Sequence, residues 1–301
     1  MRIALTALLL LSACDAASPE AAPEPTSAPE ADEGPPDAAP IESSWVEERV
    51  EDSRARMESS DAGRVLWSAI EAHGGLGTWL SKGTIAFEFD YRPLDDPNKR
   101  RHSFNEVDLW RARAFQREVD GDARFGFDGR QAWIVPSLDA FPSSPRFWAT
   151  TPYYFVGIPF VLADPGARYE RLEDAALDGV AHQVVRVTYE EGTGDSPDDY
   201  YVIYVHPETH RVSAIRYVVA YPAYFPEGGH TPEKLMRYED LREVDGLWLA
   251  HGLDTYRWDP ETQTAGELVT DIVVADYRLG QTFPASRFAP PEGAVIQEEV
   301  E

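Results

Sequence analysis

The chain has 301 residues and a formal net charge of −26 at pH 7, with 53 acidic side chains against 27 basic ones. An excess of that size argues against nucleic acid as a partner and against broad electrostatic adhesion to anionic lipid. With a single cysteine the fold has no internal disulfide, so its stability must come from a hydrophobic core, which about 260 residues suffice to bury.

The chain opens with Arg2 and an apolar run from Ile3 to Leu11, the size of a signal-peptide core and too short to span a bilayer. The run ends in Leu11-Ser12-Ala13-Cys14, which resembles the lipobox of bacterial lipoproteins. The resemblance implies cleavage before Cys14, a diacylglycerol on its sulfur and an acylated new N-terminus. Cys14 is then the lipidation site, and the membrane is a partner through that lipid, on the extracytoplasmic (periplasmic) side. An ordinary secretory signal ending near Ala17 is the alternative. Residues 15–40 hold seven acids and seven prolines, no Lys or Arg, and no aliphatic side chain larger than Ala. Such a segment cannot repay the entropy of ordering. Residues 1–13 therefore read as signal peptide, 14–40 as a disordered tether, and 41–301 as one domain.

From Ile41 the composition changes. Ser44-Trp45-Val46-Glu47 has the capping-box pattern and predicts a charged helix to about Met57. A second helix is predicted from near Ser60, its stripe of Val65, Leu66, Ala69, Ile70 and His73 stopped by Gly74-Gly75. His73 closes an apolar stripe, which points to packing or capping rather than metal binding. After Gly83 the period becomes 2, with Ile85, Phe87, Phe89 and Tyr91 on one face. Similar runs recur near Val107–Trp110, Ala114–Val119, Gln131–Val135, Val184–Tyr189, Tyr200–Val205, Val212–Tyr221, Leu235–Glu243, Leu247–Trp258 and Leu268–Tyr277. Asp-Gly pairs at 120–121, 128–129, 178–179 and 245–246 punctuate them, a strong hairpin signal. Without crossover helices, this predicts an α+β fold built on an antiparallel meander, not a doubly wound sheet.

Phe147 to Ala163 breaks the pattern as seventeen residues without a charge. Pro152, Gly157 and Pro159 argue against one long helix, so short helical turns in or over the core are expected. Phe147, Trp148, Tyr154, Phe155, Ile158, Phe160 and Leu162 are its candidates for lining a hydrophobic ligand site, as a lid or wall. A kinked core segment without that role is the alternative.

No residue pattern names a reaction. His206 and His210 flank Glu208, but Pro207 makes this a turn rather than a helical zinc motif. The acidic stretch Gly192–Asp199 lacks the order of a calcium loop, and Lys99-Arg100-Arg101-His102 reads as a solvated hairpin arm rather than a headgroup site. No nucleophile elbow, phosphate loop or dinucleotide fingerprint is present, so no catalytic residue, metal ligand or cofactor is assigned.

Two features carry a second resemblance. The turn Tyr204-Val205-His206-Pro207-Glu208-Thr209-His210-Arg211-Val212 precedes Tyr238-Glu239-Asp240-Leu241-Arg242-Glu243-Val244-Asp245-Gly246-Leu247-Trp248-Leu249. Together they look like the second half of LolA-like periplasmic carriers, the superfamily that includes LolB and LppX. Phe125-Gly126-Phe127-Asp128-Gly129 through Trp133 is compatible with the first half. The resemblance loosely covers residues 61–280. It implies an open half-barrel curled around a hydrophobic cavity, with helices as a lid, that carries or senses an acyl chain or a lipoprotein. By pattern alone, a packed core and a ligand cavity remain equal readings. A protein-interaction module of the cell envelope, its protein partner unknown, and an enzyme with a site assembled from scattered residues remain rival functions.

Overall fold

The computed structural model describes residues 43–196 and 198–297; Cys14 and the tether lie outside the described residues. Three helices come first: α1 (Ser43–Glu58), α2 (Asp61–Ala72) and α3 (Leu76–Lys82). Five strands follow, β1 (Thr84–Pro93), β2 (Arg101–Asp108), β3 (Arg113–Glu118), β4 (Arg124–Phe127) and β5 (Ala132–Val135). Then come α4 (Pro145–Gly157) and a 3₁₀ turn, Phe160–Ala163. The remaining strands are β6 (Ala167–Arg171), β7 (Ala175–Leu177), β8 (Val180–Tyr189), β9 (Tyr201–Val205), β10 (Val212–Tyr217), β11 (Lys234–Glu239), β12 (Arg242–Val244), β13 (Leu247–Leu249), β14 (Gly252–Asp259), β15 (Thr264–Leu279) and β16 (Val295–Gln297).

The fold is α+β, with one large antiparallel sheet in the order β16-β5-β4-β3-β2-β1-β15-β14-β11-β10-β9-β8-β6, β7 beside β8, and β12-β13 as a separate hairpin. The two outermost strands do not pair with each other, so the sheet is open. It is nonetheless strongly curled. Phe127 of β4 and Tyr201 of β9 stand on one cavity wall, yet their strands are eight places apart in the strand order. In a flat sheet that separation is roughly 38 Å, at about 4.8 Å per strand. Only an open half-barrel brings both to one place.

Local chemistry explains the elements. The Ser60 side chain caps α2 by accepting from the Gly63 N–H at 3.0 Å. Asp178-Gly179 and Asp245-Gly246 are the two-residue loops of β7–β8 and β12–β13. All four residues have positive φ, between 51° and 88°, as a type I′ turn requires. The helices bury the concave face. α2 packs on β6, β8 and β9, while α4 packs on β3, β4 and β5. Phe160 stacks on Trp79 of α3 with ring centroids 4.7 Å apart, at the centre of the main core.

α4 departs from expectation. It runs thirteen residues straight through Pro152. Proline cannot donate to the carbonyl four residues back, that of Trp148. The Gln116 side chain of β3 donates instead to the Trp148 carbonyl, and also to that of Ala149 at 3.2 Å. A side chain from another element supplies the hydrogen bond that the helix lacks.

Candidate functional site

A cavity of about 410 Å³ lies between α4, the β8–β9 end of the sheet and the loop that joins those two strands. Its size falls within the range of small-molecule sites. Phe127, Phe147, Tyr153, Tyr154, Phe155, Tyr189, Tyr201 and Tyr221 form most of its wall, and Thr193, Asp195, Ser196 and Asp199 form a polar rim.

The positions follow from strand and helix periodicity. α4 turns Phe147, Thr150, Thr151, Tyr154 and Phe155 toward the cavity. Tyr201 opens β9 opposite Val187, and Tyr189 ends β8 two residues later, so both tyrosines stand where the hairpin opens into its loop. Their rings are 6.2 Å apart and the Tyr154 ring is 4.9 Å from Tyr201. The Tyr154 and Tyr189 hydroxyls are hydrogen-bonded to each other. Burial holds the Tyr153, Tyr189 and Tyr201 phenols above their ordinary range, so they stay protonated donors. Tyr201 is 8% exposed.

The rim carboxylates differ. Asp195 is clamped by the buried Arg146 guanidinium at 2.6 and 2.7 Å. Asp164, also on the wall, faces Arg49 at 3.5 Å. Asp199 accepts from the Ala220 N–H at 2.6 Å and has no salt bridge among the described residues. Burial pushes its carboxyl up to about 6, with the Ala220 N–H opposing and Asp198 adding to the rise.

Of the seven lining candidates, Phe147, Tyr154 and Phe155 stand on this wall. Trp148 packs edge-on to Tyr91 at 5.2 Å and donates to the Ser143 hydroxyl at 2.8 Å. Ile158, Phe160 and Leu162 are buried in the main core, away from the cavity. Tyr189, Tyr201 and Asp199 escaped sequence reading, because the tyrosines sit at strand ends and Asp199 in the loop between them. The signal for them was the acidic loop itself, bracketed by tyrosines at 189, 200 and 201.

Elsewhere His73 and His206 serve structure. The His73 Nδ1–H donates to the Trp248 carbonyl at 2.8 Å, and its Nε2 accepts from the Val212 N–H at 3.1 Å. Burial brings its pKa down to about 4, the Trp248 hydrogen bond opposing and Arg211 adding to the fall. His206 Nδ1 accepts from the Glu208 and Thr209 N–H groups, closing the His-Pro turn. The basic run is largely paired: Arg100 with Asp90 and Asp120, His102 with Glu88 and Asp120, Lys99 with Asp96. A second cavity, about 400 Å³, holds a bulged Ser213 whose hydroxyl meets the buried His182 Nε2 at 2.9 Å.

No family profile matches the chain. No curated protein matches its sequence. Among solved structures it is similar to a LolA superfamily protein of Nitrosomonas europaea, with 11% identity, TM-score 0.47, and 76% of this chain covering 97% of that one. A DUF1329 family protein of Desulfovibrio piger has 12% identity and TM-score 0.46, over 81% of this chain and 97% of the other. A putative outer membrane lipoprotein-sorting protein domain of Vibrio parahaemolyticus has 11% identity and TM-score 0.43, over 72% and 97%.

Proposed function

We propose that this protein is an extracytoplasmic lipoprotein, anchored through Cys14, that binds a hydrophobic ligand rather than catalysing a reaction. The observation that carries the reading is the aromatic-walled cavity between α4 and the curled sheet. A half-barrel needs its concave face covered, and here the cover leaves open volume bordered by Phe147 and Tyr154, with Phe155 reaching both that wall and the main core. Apolar walls with a few placed polar groups are the usual make-up of a small-molecule site. The tether would hold this domain away from the membrane surface while the acyl chains of Cys14 keep it there.

Two measurements test the reading. Purified full-length protein should bind the neutral dye N-phenyl-1-naphthylamine saturably, with a blue shift of its emission; failure to bind would contradict the ligand site. Separately, Cys14→Ala should move the protein from the detergent phase to the aqueous phase of a Triton X-114 partition. Retention of the variant in detergent would contradict the anchor.

A further inference from the structure

The charge of the cavity wall is one-sided. Its charged lining side chains are Asp164, Asp195 and Asp199, and no Lys, Arg or His lines it among the described residues. Two of the three carboxylates face arginines that approach from outside the lining, Arg49 and Arg146. Asp199 has no such partner among the described residues. It lies close enough to Tyr189 and Tyr201 to help hold both phenols protonated. The rings of Tyr154, Tyr189 and Tyr201 converge at that place, with centroids 4.9 and 6.2 Å apart.

Aromatic faces attract cations, most strongly where water is excluded and where several rings meet around one head. A carboxylate beside the rings adds direct attraction and repels an anionic head. The geometry points to a ligand with an apolar tail and a cationic head of the quaternary-ammonium type, the head held by Tyr154, Tyr189, Tyr201 and Asp199. This assignment rests on the cavity being a ligand site, as proposed above. A carboxylate or phosphate head would meet no cation in the lining and would face Asp199. The overall charge of −26 favours cation approach over long range but gives no position for the head.

The test is displacement of N-phenyl-1-naphthylamine from the full chain by decyltrimethylammonium and by decanoate, both below their micellar concentrations, at 0.15 M salt to screen long-range attraction. The cation is expected to displace the dye at a concentration at least tenfold lower than decanoate. In Asp199→Asn, with displacement referred to that variant's own dye affinity, the advantage of the cation should fall to threefold or less. No dye binding by the wild type would overturn the cavity reading, and this inference with it. Dye binding with equal displacement by the two amphiphiles would overturn the cationic ligand alone. A full cation advantage surviving in Asp199→Asn would assign it to overall charge and overturn the cage.

Discussion

The charge-free segment 147–163 behaves as two regions with opposite jobs. Its second half is core: Ile158, Phe160 and Leu162 are each under 5% exposed and off the cavity wall, and Phe160 stacks on Trp79. Its first half is wall: Phe147, Tyr153 and Tyr154 are only partly buried and face the cavity. The second half is richer in aliphatic side chains (Val156, Ile158, Val161, Leu162), whereas the first holds Thr150, Thr151, Tyr153 and Tyr154. Their surroundings differ as well. α1, α2 and α3 meet the second half, whereas the first packs on β3, β4 and β5 on one side and borders the cavity on the other.

This contrast is most sharply broken at Phe160. Phe160→Ala should cost about 3–5 kcal/mol, because a stacked core ring leaves a void that its neighbours cannot fill. Tyr154→Ala at the wall should cost much less. Equal losses in urea unfolding would erase the distinction between core and wall.

His73 sharpens the core side through pH. Its imidazole is neutral in the fold, with a pKa of about 4, against an ordinary 6.5 in the unfolded chain. Between those values the unfolded chain binds the extra proton, so stability is full above pH 6.5 and falls toward pH 4. The difference amounts to about 3 kcal/mol. Denaturant midpoints of wild type and His73→Gln should therefore converge as pH falls from 7 to 4.5. Parallel curves would show that His73 is not held neutral.

Gln116 probes the helix that joins the two halves. Gln116→Ala should cost about 1–3 kcal/mol by stranding the Trp148 carbonyl. Pro152→Ala supplies an N–H to that carbonyl, so the Gln116 loss should shrink in its background. Additive losses would deny the substitution of one donor for the other. The smallest effect belongs to Tyr154→Phe, which removes one phenol–phenol hydrogen bond and should change stability by about 1 kcal/mol or less.

Much of the frame was legible in local sequence. Ser60 announced α2, and Asp178-Gly179 and Asp245-Gly246 announced type I′ hairpins, because caps and turns are decided by neighbouring residues. Period-2 runs located most strands of the meander. What escaped depended on distant partners. α3 is seven residues long, too short for a helical period to show. The continuity of α4 depends on Gln116, more than thirty residues away. The cavity tyrosines share the alternation of buried strand residues, and only the curl of the sheet turns them toward open space. Thus Phe147 and Phe160 read alike in sequence and part only in the fold.

The central claim, that one side of α4 faces a ligand cavity, is tested most directly by filling that cavity. Thr150 stands on its wall, with no hydrogen bond from its side chain among the described residues. In Thr150→Trp the indole should occupy the open volume. The account predicts a melting temperature within about 2 °C of wild type, a stability change of about 1 kcal/mol or less, together with at least a tenfold loss of N-phenyl-1-naphthylamine affinity. Unchanged dye binding by a folded Thr150→Trp variant would place the ligand elsewhere and contradict the account.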